Sequence, residues 1–105
     1  MRIELAEGRI AAIEPTDVDT SIWVIPGLID LQINGYGGLD VNAEDVTADV
    51  ISVLTHRLWQ LGVTAFCQTV ITASRQQILA ALRAIAAVRD ADAPIAHSSL
   101  GVHVE

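Results

Sequence analysis

The chain has 105 residues, 51% of them hydrophobic, and a formal net charge of −7, so it carries enough apolar material for one small core. Six Lys and Arg residues scattered among thirteen Asp and Glu cannot form a basic stripe against phosphate, which excludes nucleic-acid binding as a class. The opening MRIELAEGRI is charged throughout, and the longest apolar stretch, Ile22 to Ile33, is broken by Pro26, Gly27 and Asp30; no membrane span and no export signal are expected, and the expected compartment is the cytoplasm.

Residues 2–14 hold two short β-type runs around the turn pair Glu7-Gly8, with Ile10 and Ile13 ahead of Glu14-Pro15, which reads as a hairpin. Pro15 to Ser21 is a polar connection. Ile22-Trp23-Val24-Ile25 then reads as a further short strand, ended by Pro26-Gly27.

From Leu28 the pattern changes. In Leu28 to Asn34 the apolar residues alternate with Asp30, Gln32 and Asn34, so the three polar side chains share one strand face. Gly35 to Gly38 reads as a turn, since no helix follows directly to give the usual anion site at a helix N-terminus. A polar stretch through Asp45 leads to a helix near 47–61, with Val50, Ile51, Leu54, Leu58 and Leu61 on one side and Gly62 as its stop.

Val63 to Thr72 is β-branched and apolar and reads as a buried strand. Its single cysteine, Cys67, has no partner for an internal disulfide and reads as a small buried hydrophobe. Ser74-Arg75-Gln76-Gln77 has the form of a capping box, so a second helix is expected near 74–88, with Ile78, Leu79, Leu82 and Ile85 at helical spacing. Asp92 and Pro94 mark a loop, and Leu100 to Glu105 is a third strand with His103 and Glu105 on one face. Trp23 and Trp59 fit core or interface packing; His56 reads as solvated and His97 as a loop residue.

Strand, helix, strand, helix, strand argues for parallel strands with right-handed helical crossovers. A doubly wound sheet and a (β/α)₈ barrel share that order, and the chain is too short to close a barrel of roughly 250 residues. In both, ligands bind where the strands end, here at Gln32 and Asn34, at Thr69 and Thr72, and at His103 and Glu105. A carboxylate at the end of an apolar strand is costly to bury unless paired or metal-bound; the bare pattern also allows Glu105 to be a solvated terminal residue.

The run Pro26-Gly27-Leu28-Ile29-Asp30-Leu31-Gln32-Ile33-Asn34-Gly35-Tyr36-Gly37-Gly38-Leu39-Asp40 resembles the first barrel strand and loop of N-acetylglucosamine-6-phosphate deacetylases, in the amidohydrolase superfamily. Gly62 to Thr72 resembles the second strand of that family and Leu100 to Glu105 the third. The resemblance implies an α/β fold: the first strands and helices of an incomplete (β/α)₈ barrel in residues 26–105, preceded in residues 1–25 by part of a small β-sandwich domain. It implies a hydrolase that releases acetate from an amino-sugar phosphate, a small-molecule substrate, with one divalent metal ion, zinc or similar, per active site. Glu105 is then a metal ligand together with two later histidines, and a later aspartate handles protons. Gln32 and Asn34 stand where most amidohydrolases carry His-X-His. Neutral amide oxygens are weaker ligands than imidazole, so a metal position at Gln32 and Asn34 is weak or empty.

His103 is expected to pack or to support the site without binding metal. Two other readings differ in what they require. A cyclic amidase or dihydroorotase-like protein keeps the first-strand histidines that are absent here. A non-catalytic interaction module acts through its unpaired sheet edges. In the hydrolase reading, too, the helices expose apolar stripes, so the expected protein partner is a second copy of the chain or the remainder of the barrel.

Overall fold

The computed structural model describes residues 1–105 as a mixed α/β chain measuring 59 × 25 × 20 Å. Strands β1 (Arg2–Ala6) and β2 (Arg9–Glu14) form an antiparallel hairpin in which Ala6 pairs with Arg9. The two residues between them, Glu7 at φ 51° and Gly8 at φ 72°, both have the positive φ of a primed turn, which matches the right-handed twist of the flanking strands. Arg2 and Glu14 close the open end as an exposed ion pair, which contributes little in water. The hairpin makes no substantial contact with any other element. A two-stranded hairpin is marginal by itself.

Residues 15–27 form no helix or strand, which corrects the strand expected at Ile22–Ile25. A β-prone run becomes a strand only where another strand takes its hydrogen bonds, and here none lies beside it. Trp23 is accordingly 88% exposed and takes no part in the core of this chain.

The remainder is a three-stranded sheet covered by helices. Its strands are β3 (Leu28–Ile33), β6 (Val63–Val70) and β7 (Ser99–Val104), in the order β3-β6-β7 and parallel throughout, as the alternation of elements requires. Between β3 and β6 lie the two-residue strands β4 (Gly35–Tyr36) and β5 (Leu39–Asp40), paired antiparallel. They are joined by Gly37 and Gly38 at φ 61° and 84°, so the glycine-rich segment is a hairpin turn.

Helix α1 (Ala48–Gln60) is capped by Thr47, whose hydroxyl accepts the Val50 N–H, and it stops at Gly62, φ 84°. It buries Ile51, Leu54 and Leu58, as the periodicity indicates, together with Thr55, whose hydroxyl donates to Ile51 O at 2.8 Å. Helix α2 (Arg75–Ala91) begins in the expected capping box: Ser74 Oγ accepts the Gln77 N–H and Gln77 Oε1 accepts the Ser74 N–H, both at 3.2 Å. Its buried face is Ala81, Ala84, Ile85 and Val88, with Ile78 and Leu82 at the margin. That face is rotated about the helix axis from the stripe expected at Ile78, Leu79, Leu82 and Ile85: only Ile85 is common to both, and the buried centre falls on the alanines.

A short helix α3 (Ala93–Ser98) replaces the loop expected around Asp92 and Pro94. Asp92 is its N-cap, accepting the Ile95 N–H at 3.1 Å, and proline is tolerated in a first turn because its missing N–H has no partner there anyway. His97 thus lies in the last turn of a helix and is exposed.

Phe66 and Val70 of β6, Ile33 of β3 and Ile95 of α3 join the helix faces in one core. Burying each such side chain contributes roughly 1.5–3 kcal/mol. Trp59 packs at the edge of this core, its indole N–H donating to Ser98 Oγ at 3.0 Å, while Cys67 is half-buried rather than buried as expected. No helix is long and apolar enough to cross a membrane.

Candidate functional site

Because β3, β6 and β7 run parallel, their C-terminal ends lie along one edge of the sheet, the edge where such folds place ligands. Three interactions fix Glu105 there. Its backbone N–H donates to Val70 O at 3.0 Å, extending the β6–β7 ladder by one step. Its main-chain oxygen accepts from Thr72 Oγ1 at 2.9 Å. Its carboxylate Oε1 accepts from Gln32 Nε2 at 2.7 Å. Gln32, Val70 and Thr72 thus all bond to Glu105, which ties the three strand ends together at this residue.

The aim of Gln32 follows from an irregularity in β3. Asp30 pairs with Phe66 and Ile33 with Gln68, so β3 spends one more residue than β6 over the same stretch. Such a bulge bends the strand and redirects a side chain. The Gln32 N–H bonds instead to Asp30 Oδ1 at 3.0 Å.

Asn34 is half-buried beside the Gly35–Asp40 turn, and its carbonyl accepts the Val41 N–H at 2.8 Å. Arg57 of α1 donates through Nη1 to Gly37 O at 2.8 Å and tethers that turn to the helix. His103 is exposed and stands opposite Thr69 in the ladder, with no hydrogen bond to Glu105. His56 is exposed as expected, its Nδ1 within 2.8 Å of Ser52 O and its ring edge-on to Trp59.

Two polar features behind this edge were not legible in the sequence. Asn42 bridges the end of β6, donating through Nδ2 to Thr69 O at 3.0 Å and accepting the Ile71 N–H at 2.9 Å. Gln68 is fully buried and accepts from Ser99 Oγ at 2.8 Å, while its Nε2 and the neighbouring Thr69 Oγ1 find no partner. Their partners sit 27 to 31 residues away, so no local signal marks them. The one available clue is that Gln68 and Thr69 are polar residues inside an apolar strand.

Of the expected donors, the structure brings together the Glu105 carboxylate and the Gln32 carboxamide, while Asn34 lies beside the Gly35–Asp40 turn with no bond to either. No group of three or more His, Cys, Asp or Glu side chains within the chain could hold a metal ion. A four-coordinate divalent ion takes three or four protein ligands, of which imidazole, thiolate and carboxylate are the strong ones. The residues present thus fit one ligand's share of a metal site and do not make up a whole one.

No family profile matches the chain. It is 37% identical over 101 residues to the N-acetylglucosamine-6-phosphate deacetylase of Rattus norvegicus, covering 94% of the chain and 24% of that protein. To the enzyme of the same name from Vibrio furnissii it is 37% identical over 87 residues, 75% of the chain and 21% of the relative. An N-acetylgalactosamine-6-phosphate deacetylase of Escherichia coli O157:H7 is 36% identical over 90 residues, 81% of the chain and 23% of the relative. Among solved structures, N-acetylglucosamine-6-phosphate deacetylase from Pasteurella multocida superposes with a TM-score of 0.67 at 27% identity, over 90% of this chain and 26% of that one. The chain spans about a quarter of the length of the curated relatives it matches.

Proposed function

In the quarter of its relatives' length that it spans, this chain belongs to the N-acetylglucosamine-6-phosphate deacetylase family, and from that premise we propose that it forms part of a metal-dependent hydrolase converting N-acetylglucosamine 6-phosphate to glucosamine 6-phosphate and acetate. The observation that carries the reading is the meeting of Gln32 and Glu105 at the C-terminal edge of a parallel sheet.

In this reading residues 26–105 are the first strands and helices of a (β/α)₈ barrel, and residues 1–25 contribute to a small β domain. Two features support the barrel. Both outer strands, β3 and β7, have a free edge, which proteins normally cover or close. Apolar side chains on those strands also stand exposed: Ile29 at 63% and Leu31 at 69% on β3, with Leu100 and Val104 on β7.

The reaction adds water across the acetamide C–N bond: oxygen bonds to the carbonyl carbon, the bond to nitrogen breaks, and the amine leaves with a proton. A divalent ion such as zinc supplies a water of lowered pKa and polarises the carbonyl when bound. Glu105 holds that ion as a charged oxygen ligand, with the remaining ligands outside these 105 residues. Gln32 and Asn34 are neutral and hold no second ion strongly, so one metal per site is expected.

The test is Glu105→Gln in the whole protein that carries this sequence. Bound metal, measured by elemental analysis, and acetate release should both be lost; if both are unchanged, the assignment fails. Because relatives acting on N-acetylgalactosamine 6-phosphate match nearly as well, both sugar phosphates belong in the assay, and a preference for the galacto epimer would reassign the substrate.

A further inference from the structure

We propose that Asn34 is a modification site: the Gly35 nitrogen displaces its side-chain amide as ammonia, which leaves a new carboxylate beside the β4–β5 turn. The inference is independent of the reading of Glu105 and concerns these 105 residues alone.

The sequence holds two asparagines, Asn34 and Asn42, and the fold treats them in opposite ways. Asn42 is held at both ends of its amide, through Nδ2 on Thr69 O and through Oδ1 on the Ile71 N–H. The nitrogen that follows it, that of Ala43, donates to Asp40 O. The Asn34 amide makes no hydrogen bond within the chain, and the nitrogen that follows it belongs to a glycine.

The β4–β5 ribbon also leaves that nitrogen unpaired. Hydrogen-bonded and non-hydrogen-bonded pairs alternate along an antiparallel ladder. Val41 N–H donates to Asn34 O at 2.8 Å, so the next pair, Gly35 with Asp40, falls on a non-hydrogen-bonded position. The Gly35 N–H then points out of the ribbon, and β4 has no second strand neighbour to receive it. Only glycine fits here, since a Cβ would overlap Leu39 O and crowd Asp40 Cα. The same missing Cβ opens the nitrogen to the Asn34 side chain. The turn therefore imposes the reactive pair: a bulkier residue that slowed the attack would break the pairing with β5. Both residues are half-buried at an open depression along the turn, within reach of water.

The reaction needs only water. The Gly35 nitrogen gives its proton to solvent and bonds to Asn34 Cγ; the Cγ–Nδ2 bond breaks, and nitrogen leaves as ammonia after taking a proton from water. The product is a five-membered imide. Water that cleaves the bond from the Gly35 nitrogen to Cγ gives aspartate. Water that cleaves its bond to the main-chain carbonyl carbon gives isoaspartate, in which the chain runs through the former side chain. In sum one water is consumed and one ammonia released, with nothing oxidised or reduced. Either product adds one negative charge to a chain that carries −7. Isoaspartate also lengthens the main chain by a methylene and turns the carbonyl that accepts the Val41 N–H into a carboxylate, so the turn that Arg57 tethers at Gly37 O should loosen.

The test incubates the 105-residue chain in warm, mildly alkaline buffer, folded and in urea. Fragment-ion mass spectrometry follows each asparagine through the gain of about 1 Da that replacement of the amide brings. Asn34 should convert to aspartate and isoaspartate in the folded chain. The ratio of the rate in urea to the rate when folded should be at least about tenfold larger for Asn42, whose bonds must open before it reacts. Asn34→Gln, which changes a side chain without partners, should fold as the parent does and release no ammonia on this timescale. In the isoaspartyl form the Val41 N–H should exchange with solvent faster.

An Asn34 that stays intact in the folded chain, whether or not it reacts in urea, overturns the proposal. Equal protection of the two asparagines overturns its structural basis, and ammonia released from Asn34→Gln at the parent's rate places the reaction elsewhere. Unchanged exchange at Val41 in the isoaspartyl form refutes the effect on the turn.

Discussion

Asn42 stands in for a strand neighbour of Ile71: its side-chain oxygen accepts the Ile71 N–H at 2.9 Å where β6 has run out of ladder, and its amide nitrogen reaches back to Thr69 O at 3.0 Å. One side chain from the segment after β5 thereby fixes the path of the chain between β6 and Thr72, the residue that holds the main chain of Glu105.

Asn42→Ala should therefore destabilise the chain by about 1–3 kcal/mol, the cost of stranding backbone groups that were paired. The lower end is expected because Ile71 is exposed and water can replace one partner. Asn42→Asp keeps an acceptor for Ile71 but sets a carboxylate oxygen against Thr69 O, and should cost at least as much. Urea denaturation reads both, as a lower midpoint with an unchanged slope.

Phe66 is fully buried at the centre of the core. Phe66→Ala should cost about 3–5 kcal/mol, adding a cavity to the lost burial. A small domain has little more stability than that, so the variant should lose most of its helical circular dichroism at 25 °C. In the same 105-residue chain, Trp23→Ala should change stability by less than about 0.5 kcal/mol, because the ring is exposed and unpacked.

Gly27 enters β3 against the side chain of Thr64 so closely that a Cβ there would overlap its Oγ1 and Cγ2 and lie 2.7 Å from its Cβ. Rotating Thr64 relieves only the first two contacts. Gly27→Ala should cost about 1–3 kcal/mol, as overpacking does. Thr64→Gly removes all three atoms, so the double variant should be more stable than the sum of the single effects, a coupling that a double-mutant cycle measures.

The 105-residue chain by itself should release no acetate from N-acetylglucosamine 6-phosphate, with or without added Zn²⁺. One carboxylate and two amides do not complete a metal site, and removing the other ligands removes the activated water as well. Metal-dependent turnover that disappears in Glu105→Gln would show that assembly of the chain rebuilds a site, and would overturn this expectation.

Local chemistry in the sequence determined the elements whose signals lie within a few residues. Gly8 and Gly37-Gly38 permit positive φ, Ser74 and Gln77 cap each other, and Gly62 ends α1. The order of apolar runs and helical stripes was enough to expect a parallel β3-β6-β7 arrangement. Gln32 and Glu105 were also legible as members of one strand-end edge, because side-chain alternation and parallel direction put them there.

Tertiary structure alone decided the outcomes that depend on which neighbour is present. Ile22–Ile25 has the composition of a strand, but a strand exists only with a hydrogen-bonding partner, and the chain sets none beside it. Asp92 and Pro94 mark a loop or a helix start with equal force, and the burial of Ile95 in the core favours the helix. The bulge that aims Gln32, the bridge made by Asn42 and the burial of Gln68 all join residues far apart in sequence. Their free energy comes from bonds that form only once the sheet has assembled, so no window along the chain contains both partners.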